Sequence, residues 1–123
     1  MDWKLELVAV PVSDVDRAKA FYTEKVGFNA DVDARVNEAV RFVQLTPPGS
    51  ACSIALGTGF LDTPPGSVQG LQLVVEDIHA ARAELVEQGV DVSEVQVFDW
   101  GSFVFFKDPD GNGWNVQQLP PRD

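Results

Sequence analysis

The stretch FFKDPDGNGWNVQQL, residues 105 to 119, brings two acids, two asparagines and two glutamines into a tight turn and the strand that follows it. Closely spaced carboxylates can serve as general acids, general bases or ligands for a hard cation. Here Asp108-Pro109-Asp110-Gly111 reads first as turn chemistry, with proline restricting φ and glycine accepting a positive φ. The rest of the chain offers these acids few partners. His79, Cys52 and Tyr22 are each the sole residue of their type, so neither a Ser-His-Asp nor a Cys-His set can be assembled around the one distant histidine. Acid–base work by a single group leaves Asp99, Glu38 and Tyr22. Each also has a plainer reading: Tyr22 as a helix-packing aromatic, the two acids as solvated surface groups.

The bulk composition narrows the classes further. A chain of 123 residues with 45% hydrophobic and 23% charged residues is long enough to bury a core and too apolar to be disordered. Nineteen acids against nine bases give a formal charge of −10, which repels nucleic-acid phosphates and anionic lipid; neither is expected as a partner. No stretch approaches the roughly 20 apolar residues of a membrane span. The beginning, Met1-Asp2-Trp3-Lys4, has no tripartite signal, so a cytoplasmic protein is expected. One cysteine excludes an internal disulfide, and Cys52 reads as a small buried hydrophobe.

The elements that must position these groups follow from local pattern. LELVAVPV, residues 5 to 12, is a β-branched, aliphatic run read as a strand that ends near Pro11. Ser13 or Asp14 can cap a helix with apolar positions at Val15, Ala18, Phe21 and Tyr22, closed by Gly27. Residues 39 to 56 read as two strands turned by Pro47-Pro48-Gly49, and the preceding NADVDARVNE as another strand with its turn. The pattern then returns: LQLVVEDIHAARAELVEQGVDV is again strand, helix and glycine. Asp77 follows Asp14 by 63 positions and Gly111 follows Gly49 by 62. The chain therefore contains two copies of one unit, strand, helix and about three strands, divided into modules of about 1–62 and 63–123 within a single domain. A sheet with one helix-covered face and one bare face, doubled, is able to enclose a cavity.

Three segments in this order, VPVSDVDRAKAFYTEKVGF, LVVEDIHAARAELVEQGV and FFKDPDGNGWNV, together with the repeat, resemble the vicinal oxygen chelate superfamily, the glyoxalase, bleomycin-resistance and extradiol dioxygenase group. The resemblance covers nearly the whole chain. It implies an α+β fold of two repeated βαβββ modules, with curved mixed sheets around a central cavity and helices outside. Enzymes of that group hold a divalent ion by four side chains, one from the first and one from the last strand of each half. Carried onto this sequence, those positions are Leu7, Ser53, Gly70 and Asn115. None brings a carboxylate, imidazole or thiolate to offset the lost hydration of a divalent ion. A metal-free member without cofactor is expected. His79, on the second helix, reads as a surface or packing residue.

The same resemblance gives a lining for the cavity. Period-two alternation sets Leu5, Leu7 and Ala9 opposite Val8, Val10 and Val12. Gln72 and Val74 share a face with Gly70, and Gln117 shares one with Asn115. The resemblance puts Phe103 and Phe105 on the inner face, the repeat maps them to Arg41 and Val43, and Trp100 stands near the mouth. Such a lining suits a hydrophobic, aromatic or polycyclic ligand, with Arg41 available to an anionic group if it points inward.

Two readings stay open. The first is a binding protein that sequesters a small hydrophobic or aromatic molecule, as the bleomycin-resistance branch does, commonly as a homodimer. Trp3, Phe60 and Trp114 are large apolar side chains that favour such a pairing. The second is a metal-independent lyase, isomerase or cyclase acting on a small organic or polyketide-like substrate. A metal-dependent glyoxalase or dioxygenase stands a distant third.

Overall fold

The computed structural model describes residues 1–121; the last two residues of the second module lie outside the described residues. Both helices begin where an aspartate leaves the helical region. Asp14 sits at φ −131° and ψ 105° and accepts the Arg17 N–H, opening α1, Val15–Ala20, which widens into a π-helical turn over Phe21–Val26. Gly27, at φ 90°, ends it. Asp77 repeats this at φ −134° and ψ 104°, accepting the N–H groups of His79 and Ala80, and opens α2, Ile78–Glu87. Caps of this kind contribute on the order of 1 kcal/mol each. No helix among the described residues is long and apolar enough to cross a membrane.

The strands fall into two sheets of four. In the first, β1 (Leu7–Ala9) runs parallel to β4 (Ser53–Thr58), followed by antiparallel β3 (Arg41–Thr46) and β2 (Asn29–Arg35). In the second, β5 (Leu71–Val74) runs parallel to β8 (Gly113–Gln118), followed by antiparallel β7 (Gly101–Lys107) and β6 (Gln96–Phe98). The order of elements is thus the expected βαβββ unit, twice.

One face of each sheet carries the apolar residues. Val43, Leu45, Ile54 and Leu56 from the first sheet and Val104, Phe106, Trp114 and Val116 from the second join Val15, Ala18, Tyr22, Ile78 and Leu85 of the helices in one buried cluster. Val10 and Val12 belong to it as expected. The opposite face of each sheet, hereafter its open face, carries rings, amides and hydroxyls. Because the apolar surface is spent on the shared core, the sheets remain separate four-stranded sheets. The expected enclosure of a central cavity is not completed within the chain.

The DPDGN turn is where the two modules are fastened. Asp108, 5% exposed, accepts the Tyr22 hydroxyl at 2.7 Å and the Asn112 amide at 2.8 Å on one oxygen. Its other oxygen accepts the backbone N–H groups of Asp110 and Asn112, each at 2.9 Å. Asn112 has no exposure and also donates to the Pro11 carbonyl at 2.9 Å, while its side-chain oxygen accepts the Val68 N–H. Trp114 Nε1 donates to the Tyr22 oxygen at 2.9 Å. The Tyr22 ring stacks on Phe28 at 5.6 Å and meets Trp114 edge-on at 5.7 Å. The turn acids are structural, as their spacing suggests. Each polar group in this buried knot has a partner, the condition under which such a network stabilises.

Candidate functional site

Alternation along β7 and β8 builds the open face of the second sheet. Val104 and Phe106 pair with Val116 and Trp114 and point into the core, which leaves Phe103 opposite Gln117 and Phe105 opposite Asn115 on the other side. The parallel neighbour β5 sets Gln72 beside Asn115. The rings form a continuous run. Phe105 stacks on Phe103 at 6.0 Å with planes 2° apart, Phe98 meets Phe103 edge-on at 5.8 Å, and Trp100 stacks on Phe98 at 5.0 Å. Trp100 is 62% exposed, so the run ends at an open aromatic surface.

Beside the rings lies a row of amides. Asn115 Nδ2 donates to Gln72 Oε1 at 3.3 Å, Gln72 Nε2 to Gln117 Oε1 at 2.7 Å, and Gln117 Nε2 to the Trp100 carbonyl at 2.8 Å. Gly101 makes room for this. It sits at φ 140°, and a Cβ there would lie 2.6 Å from the Gln118 carbonyl and 3.1 Å from Gln117 Nε2. A groove of about 560 Å³ runs past Gly70, Phe105, Gly113 and Asn115, with Asp91 and Lys107 also in its wall. That volume is in the range of small-molecule sites, and rings plus a few fixed polar groups are their usual lining.

The open face of the first sheet is different. Leu7 lies beside Ser53, whose hydroxyl accepts from Gln44 Nε2 at 3.2 Å and bonds the Thr46 hydroxyl at 2.6 Å; Thr46 in turn bonds Asp31. Ser53 and Gln72 both border a second, smaller groove of about 290 Å³, which also takes in Gly70. The expected lining is thus divided. Gln72, Trp100, Phe103, Phe105, Asn115 and Gln117 share one face, Leu7 and Ser53 belong to the other sheet, and Gly70 touches both grooves.

Arg41 and Val43 are on the core face of the first sheet, not on the open one. Val43 is fully buried in the core cluster. Arg41 donates through Nε and Nη2 to both oxygens of Asp33, at 3.0 and 2.8 Å, and through Nη1 to Asp16 at 2.8 Å, tying β3 to β2 and α1. Hydrogen bonding from Arg41, then from Lys19, holds the Asp33 carboxyl well below the usual carboxylate range. Asp33 and Asp16 together hold the guanidinium charged well above its ordinary range. The repeat misplaced these residues because the first hairpin has a different register. A uniform offset of 62 sets residue 41 opposite Ala55, as Phe103 stands opposite Gln117, yet Gln44 is the partner of Ala55. The shift is three residues, and an odd shift exchanges faces. Gln44 and Thr46 are therefore the open-face residues of β3. Alternation of Val43 and Leu45 with Gln44 and Thr46 carried that information. The same alternation in β6 would have added Phe98.

One of the four mapped metal positions also changes. Gln72, rather than Gly70, is the β5 neighbour of Asn115, as Leu7 is the β1 neighbour of Ser53. Leu7, Ser53, Gln72 and Asn115 remain a neutral set that does not fit a divalent ion, for want of charge to replace its hydration. Among the proposed acid–base residues, Tyr22 is fully buried with its hydroxyl engaged by Asp108 and Trp114. Burial, then the charge of Asp108, pushes its ionisation far above that of an ordinary tyrosine. Asp99 and Glu38 are exposed. Trp114, expected as a surplus apolar side chain, is core at 3% exposure, whereas Trp3 is 88% and Phe60 40% exposed.

Comparison with known proteins gives a consistent set of likenesses. The family model described as the Glyoxalase/Bleomycin resistance protein/Dioxygenase superfamily matches residues 4–116. Among solved structures, TnmS3, described as an antibiotic binding protein from Streptomyces sp. CB03234, is 39% identical with a TM-score of 0.88, over 97% of this chain and 98% of that one. A glyoxalase/bleomycin resistance protein from the same organism is 40% identical with a TM-score of 0.82, over 94% of this chain and all of the other. The uncharacterized protein YetH of Bacillus subtilis (strain 168) is 34% identical over 109 residues, 85% of this chain and 89% of its own.

Proposed function

The chain belongs to the glyoxalase/bleomycin resistance protein/dioxygenase superfamily, and from that premise we propose that it is a metal-independent binding protein for a small hydrophobic or aromatic molecule. The observation that carries this reading is the open face of the second sheet, where a run of stacked rings ends at an exposed tryptophan beside a row of hydrogen-bonded amides. Flat apolar ligands gain from stacking and area burial, and amides orient them without the desolvation cost of a buried charge. The likeness to an antibiotic binding protein supports an organic ligand of this kind. A lyase, isomerase or cyclase would need an acid or base at the reacting atoms; the open-face residues Gln72, Phe103, Phe105, Asn115 and Gln117 supply neither, and that chemistry would fall to Asp91 or Lys107 in the groove wall.

The working form in this reading is a cytoplasmic homodimer in which each chain is one domain of two modules. Val74 and Trp100 are 63% and 62% exposed at the open face, and a second copy covering them would deepen the groove and remove apolar surface from water. Calorimetric titration with a panel of fused-ring aromatic compounds tests the reading. Binding that is weakened by Phe105→Leu, at unchanged melting temperature, is expected; saturable binding that ignores this substitution would overturn it.

A further inference from the structure

The amide row has a direction, and its direction assigns a chemical feature to the ligand. The row ends on the backbone carbonyl of Trp100, an acceptor with no donor of its own. The part of Gln117 that faces it at 2.8 Å must therefore be the NH₂ group, which leaves Gln117 Oε1 toward Gln72. Gln72 must then present its NH₂ at 2.7 Å, and its own oxygen is left for the NH₂ of Asn115 at 3.3 Å. Reversing Gln72 or Gln117 sets oxygen against oxygen and donor against donor and loses two hydrogen bonds, and reversing Asn115 sets oxygen against oxygen and loses one. The assignment of oxygen and nitrogen thus follows from the network.

The far end of the row is Asn115 Oδ1. No donor among the described residues reaches it, and Asn115 lines the 560 Å³ groove together with Phe105. Gly70, also in that wall, has no atom beyond its own chain neighbours within 4 Å of where its Cβ would stand, so the approach on that side is open. Each amide donates toward Trp100, and donation by an amide makes its own oxygen a stronger acceptor. The strengthened acceptor therefore lies at the ligand-facing end, beside a ring.

We propose that Asn115 Oδ1 is the specificity-determining acceptor of this site, and that its ligand is an aromatic molecule bearing an O–H or N–H donor at the edge of the ring. This rests on the open face of the second sheet being the binding face. A ligand that stacks on Phe105 and donates to Asn115 satisfies both features, whereas a ring with acceptors alone leaves Asn115 Oδ1 desolvated and unpaired, the costlier outcome.

The test uses a matched pair, 2-naphthol and 2-methoxynaphthalene, titrated into the wild-type protein, Phe105→Leu and Asn115→Ala, with melting temperatures in parallel. Asn115→Leu, of similar volume, serves if the alanine variant melts early. The wild type should prefer the naphthol by about five- to tenfold, the worth of one neutral hydrogen bond. In either Asn115 variant the ratio should fall to about one, and in Phe105→Leu both compounds should weaken while the preference stays. Equal binding of the two by the wild type, or a preference that survives loss of Asn115, overturns the assignment and points to the amide N–H groups or the rings as the selecting elements. Binding indifferent to Phe105, or no binding of either compound, overturns the choice of face, and the assignment with it.

Discussion

The hydroxyl of Tyr22, in the first module, donates to the carboxylate of Asp108, in the second, at 2.7 Å within a fully hydrogen-bonded and buried knot. The bond joins residues 86 positions apart and ties the helix that follows β1 to the turn that precedes β8. Its energetic consequence is testable apart from ligand binding.

Tyr22→Phe removes that donor and also leaves Trp114 Nε1 without its acceptor. It should destabilise the protein by about 1–3 kcal/mol in urea unfolding, the range for unsatisfied buried partners. A pH signature goes with it. The folded protein holds Tyr22 neutral well above the ordinary value of 10.0, so on raising the pH the unfolded chain releases this proton first and folding stability falls above about pH 10. The limiting slope is near 1.4 kcal/mol per pH unit. The difference between wild type and Tyr22→Phe should be flat below pH 10 and narrow above it; a difference constant to pH 11.5 would contradict the assignment.

Phe105→Ala should weaken an aromatic ligand by roughly 1–3 kcal/mol through lost stacking and apolar burial. Asn115→Ala should cost less, near 1 kcal/mol. Phe105 is half-buried and packs on Phe103, so core damage has to be separated from lost contact. Phe105→Leu does so, retaining most of the volume while removing the ring. Unchanged affinity in a destabilised Phe105→Leu would make this residue core alone.

Arg41→Met should leave ligand affinity unaltered, since Arg41 is occupied with Asp33 and Asp16 on the core side of β3. Its effect belongs on stability, within about 1 kcal/mol because the Asp33 and Asp16 side chains are 29% and 83% exposed and screened. The carboxyl of Asp33 is lowered in the folded state, so its contribution is present above the ordinary carboxylate range and is lost as the pH falls below about 4. Acid unfolding of Arg41→Met should show a shallower loss over that window. A tenfold drop in ligand affinity would instead return Arg41 to the binding face.

Chelator treatment should change neither the melting temperature nor ligand affinity, because Leu7, Ser53, Gln72 and Asn115 offer no charged ligand to a divalent ion. Elemental analysis that finds about one tightly held ion per chain would reverse this reading and direct attention to a different set of donors.

What the amino-acid sequence determined by itself is everything that depends on near neighbours along the chain. Asp14 and Asp77 start helices because an aspartate can bond the N–H groups two and three residues ahead, and the 62 to 63 residue repeat exposed the two modules. Alternation kept Gln117 on one face with Asn115, since a strand turns successive side chains to opposite faces, and the family resemblance set Phe103 and Phe105 on the inner face; Trp114, read as a surplus apolar side chain, is core. Tertiary structure decided what depends on pairing between distant segments. The three-residue register difference in the first hairpin sent Arg41 and Val43 into the core side, and Gln72 replaced Gly70 beside Asn115 because parallel pairing of β5 with β8 fixes that neighbour. The direction of the amide row came from one backbone carbonyl, that of Trp100, meeting a side chain 17 residues away. Hydrogen bonds between segments carry no periodic trace in the sequence; their partners become neighbours only when the whole sheet has formed.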